Sequence, residues 1–239
     1  MSGLRTLPPL LSTLYPTPMS DAATDLFTAI HANNPEGVRL LIQAEPELLH
    51  SRSPSGLSPV LFAAYYHRPY VLDVLLAAGP ELDVFEAAAT GQPLPEGADI
   101  NACNVDGFTP LHLAAMFGRT EAARALLGSG ADLHAPSRNP QAATPLHSAL
   151  GGRQWNTARL LLERGADVNA AQPGGWTPLL LAVREGEAEM VAELLSRGAD
   201  PHARTEDGES AADLARENGH ETLLGQFPAL SDPTDEAGA

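Results

Sequence analysis

Apolar positions along this chain fall into short paired segments separated by breaks, not into one long run. In one stretch Thr109-Pro110 precedes Leu111, Ala114 and Ala115; Gly118 breaks the pattern, Leu126-Leu127 resume it, and Gly130 closes it. The first segment predicts a short helix with a thin apolar stripe. Thr109 suits the N-cap, and Pro110 at the first helical position forfeits only an N–H that would have no partner in the helix. The second segment predicts an antiparallel helix with Gly130 just beyond its C-terminus. Asp106-Gly107 ahead of the pair and Asp132-Leu133 after it have the chemistry of a projecting hairpin turn.

The unit recurs. Thr109-Pro110-Leu111-His112 is matched by Thr144-Pro145-Leu146-His147 and Thr177-Pro178-Leu179-Leu180, with weaker versions at Ser58-Pro59-Val60-Leu61 and Ser210-Ala211. Starts at 109, 144, 177 and 210 are 35, 33 and 33 residues apart. Gly79, Gly130, Gly165 and Gly198 each fall 21 residues after their Ser or Thr, so two independent markers stay in phase. Alanine holds one position in every copy (Ala63, Ala114, Ala149, Ala182 and Ala215), which lets neighbouring helices approach closely. A fixed period of this length is the signature of a repeat array.

One unit breaks the period. Ser58 to Thr109 spans 51 residues, and Gly79 to Gly97 spans 18, so a shortened unit lies between them. Val84–Gly91 reads as its first helix; Pro93 and Pro95 then occupy the place of the second and forbid a regular one. The expectation is a loop at about 92–98 in place of the outer helix. It reads either as a tolerated deletion or as a notch shaped for a partner.

These motifs resemble the ankyrin-repeat family over about residues 22–227. The fold class expected from the resemblance is all-α: a solenoid of stacked helix-turn-helix units with short β-hairpin turns. About seven units are expected, near 22–52, 53–82, 83–101, 104–137, 139–172, 173–205 and 206–227, forming a single domain over 21–227. Residues 1–20 read as a flexible leader and 228–239 as a disordered acidic tail. Met19 would be a natural start just ahead of the first helix, which makes 1–18 either a start-site misassignment or a leader. At the C-terminal end Arg216 stands where Ala115 and Val183 stand in other units, giving the polar outer face that a terminal repeat needs.

Composition narrows the function. The formal charge is −16, and all 14 basic residues are Arg. The absence of Lys excludes a P-loop lysine or a Schiff base, and the negative balance argues against nucleic acid and anionic membranes. The Arg-only basic set, with abundant Ala, Gly and Pro, points to a GC-rich, bacterial genome. Cys103 is the only cysteine, which excludes an internal disulfide and any zinc site with two thiolates. A reducing, cytoplasmic setting is the corresponding expectation.

No catalytic or metal constellation emerges. His112 and His147 belong to the repeated element, and the family resemblance makes them structural, bonded to the Thr and to neighbouring turn backbone. His31, His50, His67, His134, His202 and His220 show no ligand spacing with one another. Cys103 lies at a hairpin position. The expectation is a non-enzyme with no cofactor and no metal. Glu185, Glu187, Glu189 and Glu193 form an acidic run in a C-terminal stretch, 184–239, of net charge −10. It reads either as a solvated face or as a surface that steers a basic partner.

The resemblance implies binding by hairpin tips and inner helices along one concave groove. The positions that vary in such units are Leu57, Tyr65 and Tyr66; Phe108, Met116 and Phe117; Ala143, Gly151 and Gly152; and Trp176, Arg184 and Glu185. Large apolar groups gather at Tyr65, Tyr66, Phe108, Met116, Phe117 and Trp176. Placed at positions expected to be exposed, in a chain of which only 5% is aromatic, they read either as a partner-binding patch or as rings packed on one another and on the hairpin. The function expected is a monomeric protein–protein interaction adaptor whose partner has a basic surface. The alternatives are a regulatory or inhibitory subunit of a neighbouring enzyme and an exported, host-directed effector.

Overall fold

The computed structural model describes residues 20–227, and the leader and tail expectations fall outside them apart from Ser20, whose hydroxyl caps the first helix. Twelve α-helices follow in order: α1 (Asp21–His31), α2 (Pro35–Ala44), α3 (Pro59–Tyr65), α4 (Pro69–Ala77), α5 (Val84–Thr90), α6 (Pro110–Met116), α7 (Thr120–Gly128), α8 (Pro145–Gly151), α9 (Trp155–Glu163), α10 (Pro178–Glu185), α11 (Ala188–Ser196) and α12 (Ala211–Glu217). A 3-10 turn at Pro46–His50 follows α2, and another at Glu221–Gln226 stands where the last outer helix would be. The inner row is α1, α3, α5, α6, α8, α10 and α12, each packed on the next. Among the described residues there are no strands, only isolated bridges at Gln172–Trp176 and Arg204–Ser210.

Helices of seven to eleven residues are too short to be stable alone, so tertiary packing must hold them. The alanine common to the units supplies that packing: Ala63, Ala114, Ala149, Ala182 and Ala215 are all fully buried between inner helices. Leu111, Leu126, Leu161, Leu180 and Leu194 fill the space between inner and outer rows. The caps follow the sequence: Ser58, Thr109, Thr177 and Ser210 each accept a backbone N–H of their own first turn.

Hairpin tips close at 53–57, 104–108, 137–143, 172–176 and 205–209, as in the 2.9 Å bond from Asn104 N to Phe108 O. Neighbouring tips are stitched together: Arg138 N donates to Gly107 O at 2.7 Å, and Glu206 N to Gly174 O at 2.8 Å. Gly107 has φ +79°, and a Cβ there would lie 2.6 Å from the Arg138 carbonyl carbon, so no other residue fits.

The shortened unit keeps α5 as its inner helix and has a loop where its outer helix would stand, as the prolines require. It has lost a second piece as well. From Gly79 the chain reaches the N-cap Asp83 in four residues, whereas Gly97 to Thr109 takes twelve, so this unit has no tip. The flanking tips close over the gap, and a Cβ on Gly56 would stand 3.8 Å from Val105 Cγ1.

Candidate binding surface on the concave face

The two repeated histidines sit in the helix caps beneath this face, and His112 also ties its unit to the next. His112 Nε2 donates to the Ala143 carbonyl of the next unit at 2.7 Å, which makes Nδ1 the acceptor for the Thr109 hydroxyl at 2.7 Å and the Thr109 amide at 3.2 Å. His147 makes the same contacts with Thr144, at 2.7 and 3.2 Å. Burial disfavours the charged ring, lowering the pKa of His112 and pushing that of His147 down to about 4. Both are neutral structural groups.

On the N-terminal half the ends of the inner helices are aromatic and interlocked. Tyr66 packs on Phe62 at 4.5 Å between ring centres and on His31 at 5.0 Å, and Phe62 rests on Phe27 at 5.1 Å. Tyr65 meets Phe117 edge-to-face at 5.3 Å. These two rings belong to α3 and to the cap of α6. They touch across α5 because its C-terminal end is Ala88-Ala89-Thr90-Gly91.

Phe108 requires a correction. It was expected at an exposed position, but it is 8% exposed and packs with Leu57, Leu61, Ala89 and Leu113. The residue before the cap turns inward in this part of the stack, and Phe108 joins a small satellite core. Leu57 and Ala143 are likewise buried. Tyr66, 42% exposed, is the most open aromatic of the expected set; Tyr65, Met116, Phe117 and Trp176 are half-buried.

The closure also traps polar atoms. Tyr65 Oη, Asn104 Nδ2 and Asp106 Oδ2 are buried without a well-aligned hydrogen bond. Burial pushes the Tyr65 phenol far above its ordinary range, with the Asp106 charge adding to the effect, and burial raises the Asp106 carboxyl as well.

The C-terminal half is charged. Arg184 lies over the Trp176 ring at 4.9 Å, an arrangement that holds both side chains in place. Glu185 accepts from Arg184 Nε at 3.2 Å and pairs with Arg153 Nε at 3.8 Å. The acidic run is largely paired within the chain: Arg159 reaches Glu189 at 2.9 Å and Glu193 at 3.1 Å, and Arg197 reaches Glu193 at 3.0 Å. Between the halves, Gly151 and Gly152 leave the inner face of the fifth unit bare. Arg153 beside them also lines a polar cleft of about 270 Å³ with Gln154, Trp155 and Glu187. Sequence reasoning passed over His31, Phe62 and Arg153. The last was legible, because its frame position is Gly118 and Gly186 in the flanking units.

Stacked helix pairs with one projecting tip per regular unit define a repeat solenoid. The chain belongs to the ankyrin-repeat family: a three-copy ankyrin-repeat model matches residues 85–172, and a single-repeat model matches 174–206. Among curated relatives, the chain is 36% identical to the Neurogenic locus Notch protein of Drosophila melanogaster over 154 residues, 63% of this chain and 5% of that protein. It is 32% identical to Neurogenic locus notch homolog protein 1 of Xenopus tropicalis over 194 residues, 80% of this chain and 7% of that protein. A tyrosine-protein kinase of Hydra vulgaris is 34% identical over 117 residues, 49% of this chain and 16% of that protein. The match therefore spans a small part of each relative. Among the described residues, no helix is long and apolar enough to cross a membrane.

Proposed function

We propose that the chain is a non-catalytic, monomeric adaptor that binds a partner protein along its concave face. The contact residues are Tyr66, with Tyr65, Met116 and Phe117 beside it, and Trp176, Arg184 and Glu185 further along; Phe108 supports them from beneath. The observation that carries this reading is the row of half-open aromatic and charged side chains at the ends of successive inner helices, on a scaffold whose two repeated histidines are buried in helix caps. Ankyrin repeats generally mediate protein–protein interaction, and the rigid stack presents these groups without an ordering cost on binding. The net charge of −16 supports a partner with a basic surface, approached in the cytoplasm, although the ion pairs of Glu189 and Glu193 reduce the free anionic surface. The Arg-only composition supports a bacterial source.

Affinity capture from the native organism, at low and high salt, tests this. Tyr66→Ala with Arg184→Ala should abolish the capture of specific proteins, and added salt should weaken it. Unchanged capture by the double variant contradicts the assignment of the face.

A further inference from the structure

We propose that the fifth unit is a recognition step for a partner segment that places a large apolar residue next to an acidic side chain, with the carboxylate docking between Arg153 and Arg184. This deepens the concave-face reading and rests on it. Four inner-face positions are trimmed together here. The fourth unit has Phe108, Leu113, Met116 and Phe117, and the sixth has Trp176, Leu181, Arg184 and Glu185; the fifth has Ala143, Ser148, Gly151 and Gly152. A Cβ on Gly151 would find no atom within 4 Å, so the space above it is open. A Cβ on Gly152 would lie 2.3 Å from the Met116 carbonyl oxygen, so α8 lies hard against α6 and the Met116–Phe117 wall rises beside it. Trp176, held under Arg184, forms the opposite wall. On the trimmed row the Ser148 hydroxyl, in a residue 7% exposed, is buried with no hydrogen-bond partner.

Arg153 supplies the charge. One residue past the cap of α6 and of α12, and at the cap of α10, the backbone turns left-handed at Gly118, Gly219 and Gly186, with φ of +67°, +76° and +76°. Arg153 holds the equivalent turn at φ +57°, as Asn33 and His67 do after α1 and α3 at +53° and +51°, and a side chain in this conformation destabilises the fold. Its one ion pair, with Glu185, is 3.8 Å long, and its side chain is 65% exposed. Local structure therefore gains little from an arginine here, and its exposed guanidinium is open to a contact from outside the chain. Arg184 reaches the same Glu185 carboxylate, so two guanidiniums already converge on a carboxylate, with their remaining N–H groups free to donate to a second. Glu187 lines the adjoining cleft with Arg153 and, together with Glu185, is the acidic group nearest this pair along the chain. The overall field attracts a basic protein. At the step itself a cationic side chain would face both arginines, whereas a carboxylate would share them with Glu185.

The test is selection of a randomised displayed peptide library on the full chain. Enriched peptides should carry Asp or Glu within two residues of Phe, Leu, Met or Trp. They should bind Arg153→Gly at least tenfold more weakly while that variant melts at the same or a higher temperature, and changing the peptide's Glu to Gln should lose as much. Gly151→Trp, built into open space, should block them. No enrichment, peptides without a carboxylate, or equal binding to Arg153→Gly would overturn the proposal. Peptides lost on Tyr66→Ala but not on Arg153→Gly would overturn the step and leave the concave-face reading standing; peptides indifferent to both would overturn both.

Discussion

The inner faces of the third and fifth units are both poor in side chains, yet one is covered and the other is open. In the third, Ala88, Ala89 and Thr90 are buried, with Ala89 packed against Phe108 beside the Tyr65–Phe117 pair. In the fifth, Ala143, Ser148, Gly151 and Gly152 leave a bare step between Phe117 and Trp176. The difference lies in the tips. The third unit has none, and the Tyr65 and Phe117 rings of its neighbours meet across it; the fifth has a tip of seven residues, 137–143, against five at 104–108. Small residues therefore leave an open surface only where the flanking side chains do not meet above them.

This contrast can be broken at several strengths. Phe108→Ala removes the ring that seals the third unit and should cost about 3–5 kcal/mol in urea denaturation; a loss well below that would mean that Phe108 is an outward anchor. Acid tests the regular units. The pKa of folded His147 lies near 4, below the unfolded value, so the unfolded chain binds the proton first. Its contribution is complete above pH ~6.5 and is lost as the pH falls through about 4; the full shift is worth roughly 3 kcal/mol. His147→Gln should flatten that part of the stability–pH curve. Arg153→Gly should raise stability by about 1 kcal/mol by relieving the left-handed turn. Tyr66→Ala, at the open edge of the aromatic row, should change stability by about 0.5 kcal/mol or less while weakening partner binding.

Most of the architecture was legible because each unit repeats the same physical instructions. Thr-Pro at the cap, alanine at the contact and glycine after the outer helix are local rules, and their phase survives a deletion. Pro93 and Pro95 announced the missing outer helix in the same local way. The burial of Phe108 was not legible. Its own frame marks it as exposed, and only the packing of the tips on the inner helices, which buries Leu57 and Ala143 at the same frame position, turns it inward. The acidic run misled for a related reason: Arg159 pairs with Glu189 and Glu193 from the next unit, a contact that sequence neighbours do not reveal. Arg153 was readable from the frame, as a non-glycine between two units that have glycine there.

Hydrogen–deuterium exchange of the full chain, with and without a captured partner, tests most directly whether the concave face binds. The account predicts slowed exchange at the inner-helix ends near 62–67, 116–118, 151–153 and 184–186, with the outer helices α4, α7, α9 and α11 unchanged. Protection confined to those outer helices would contradict it.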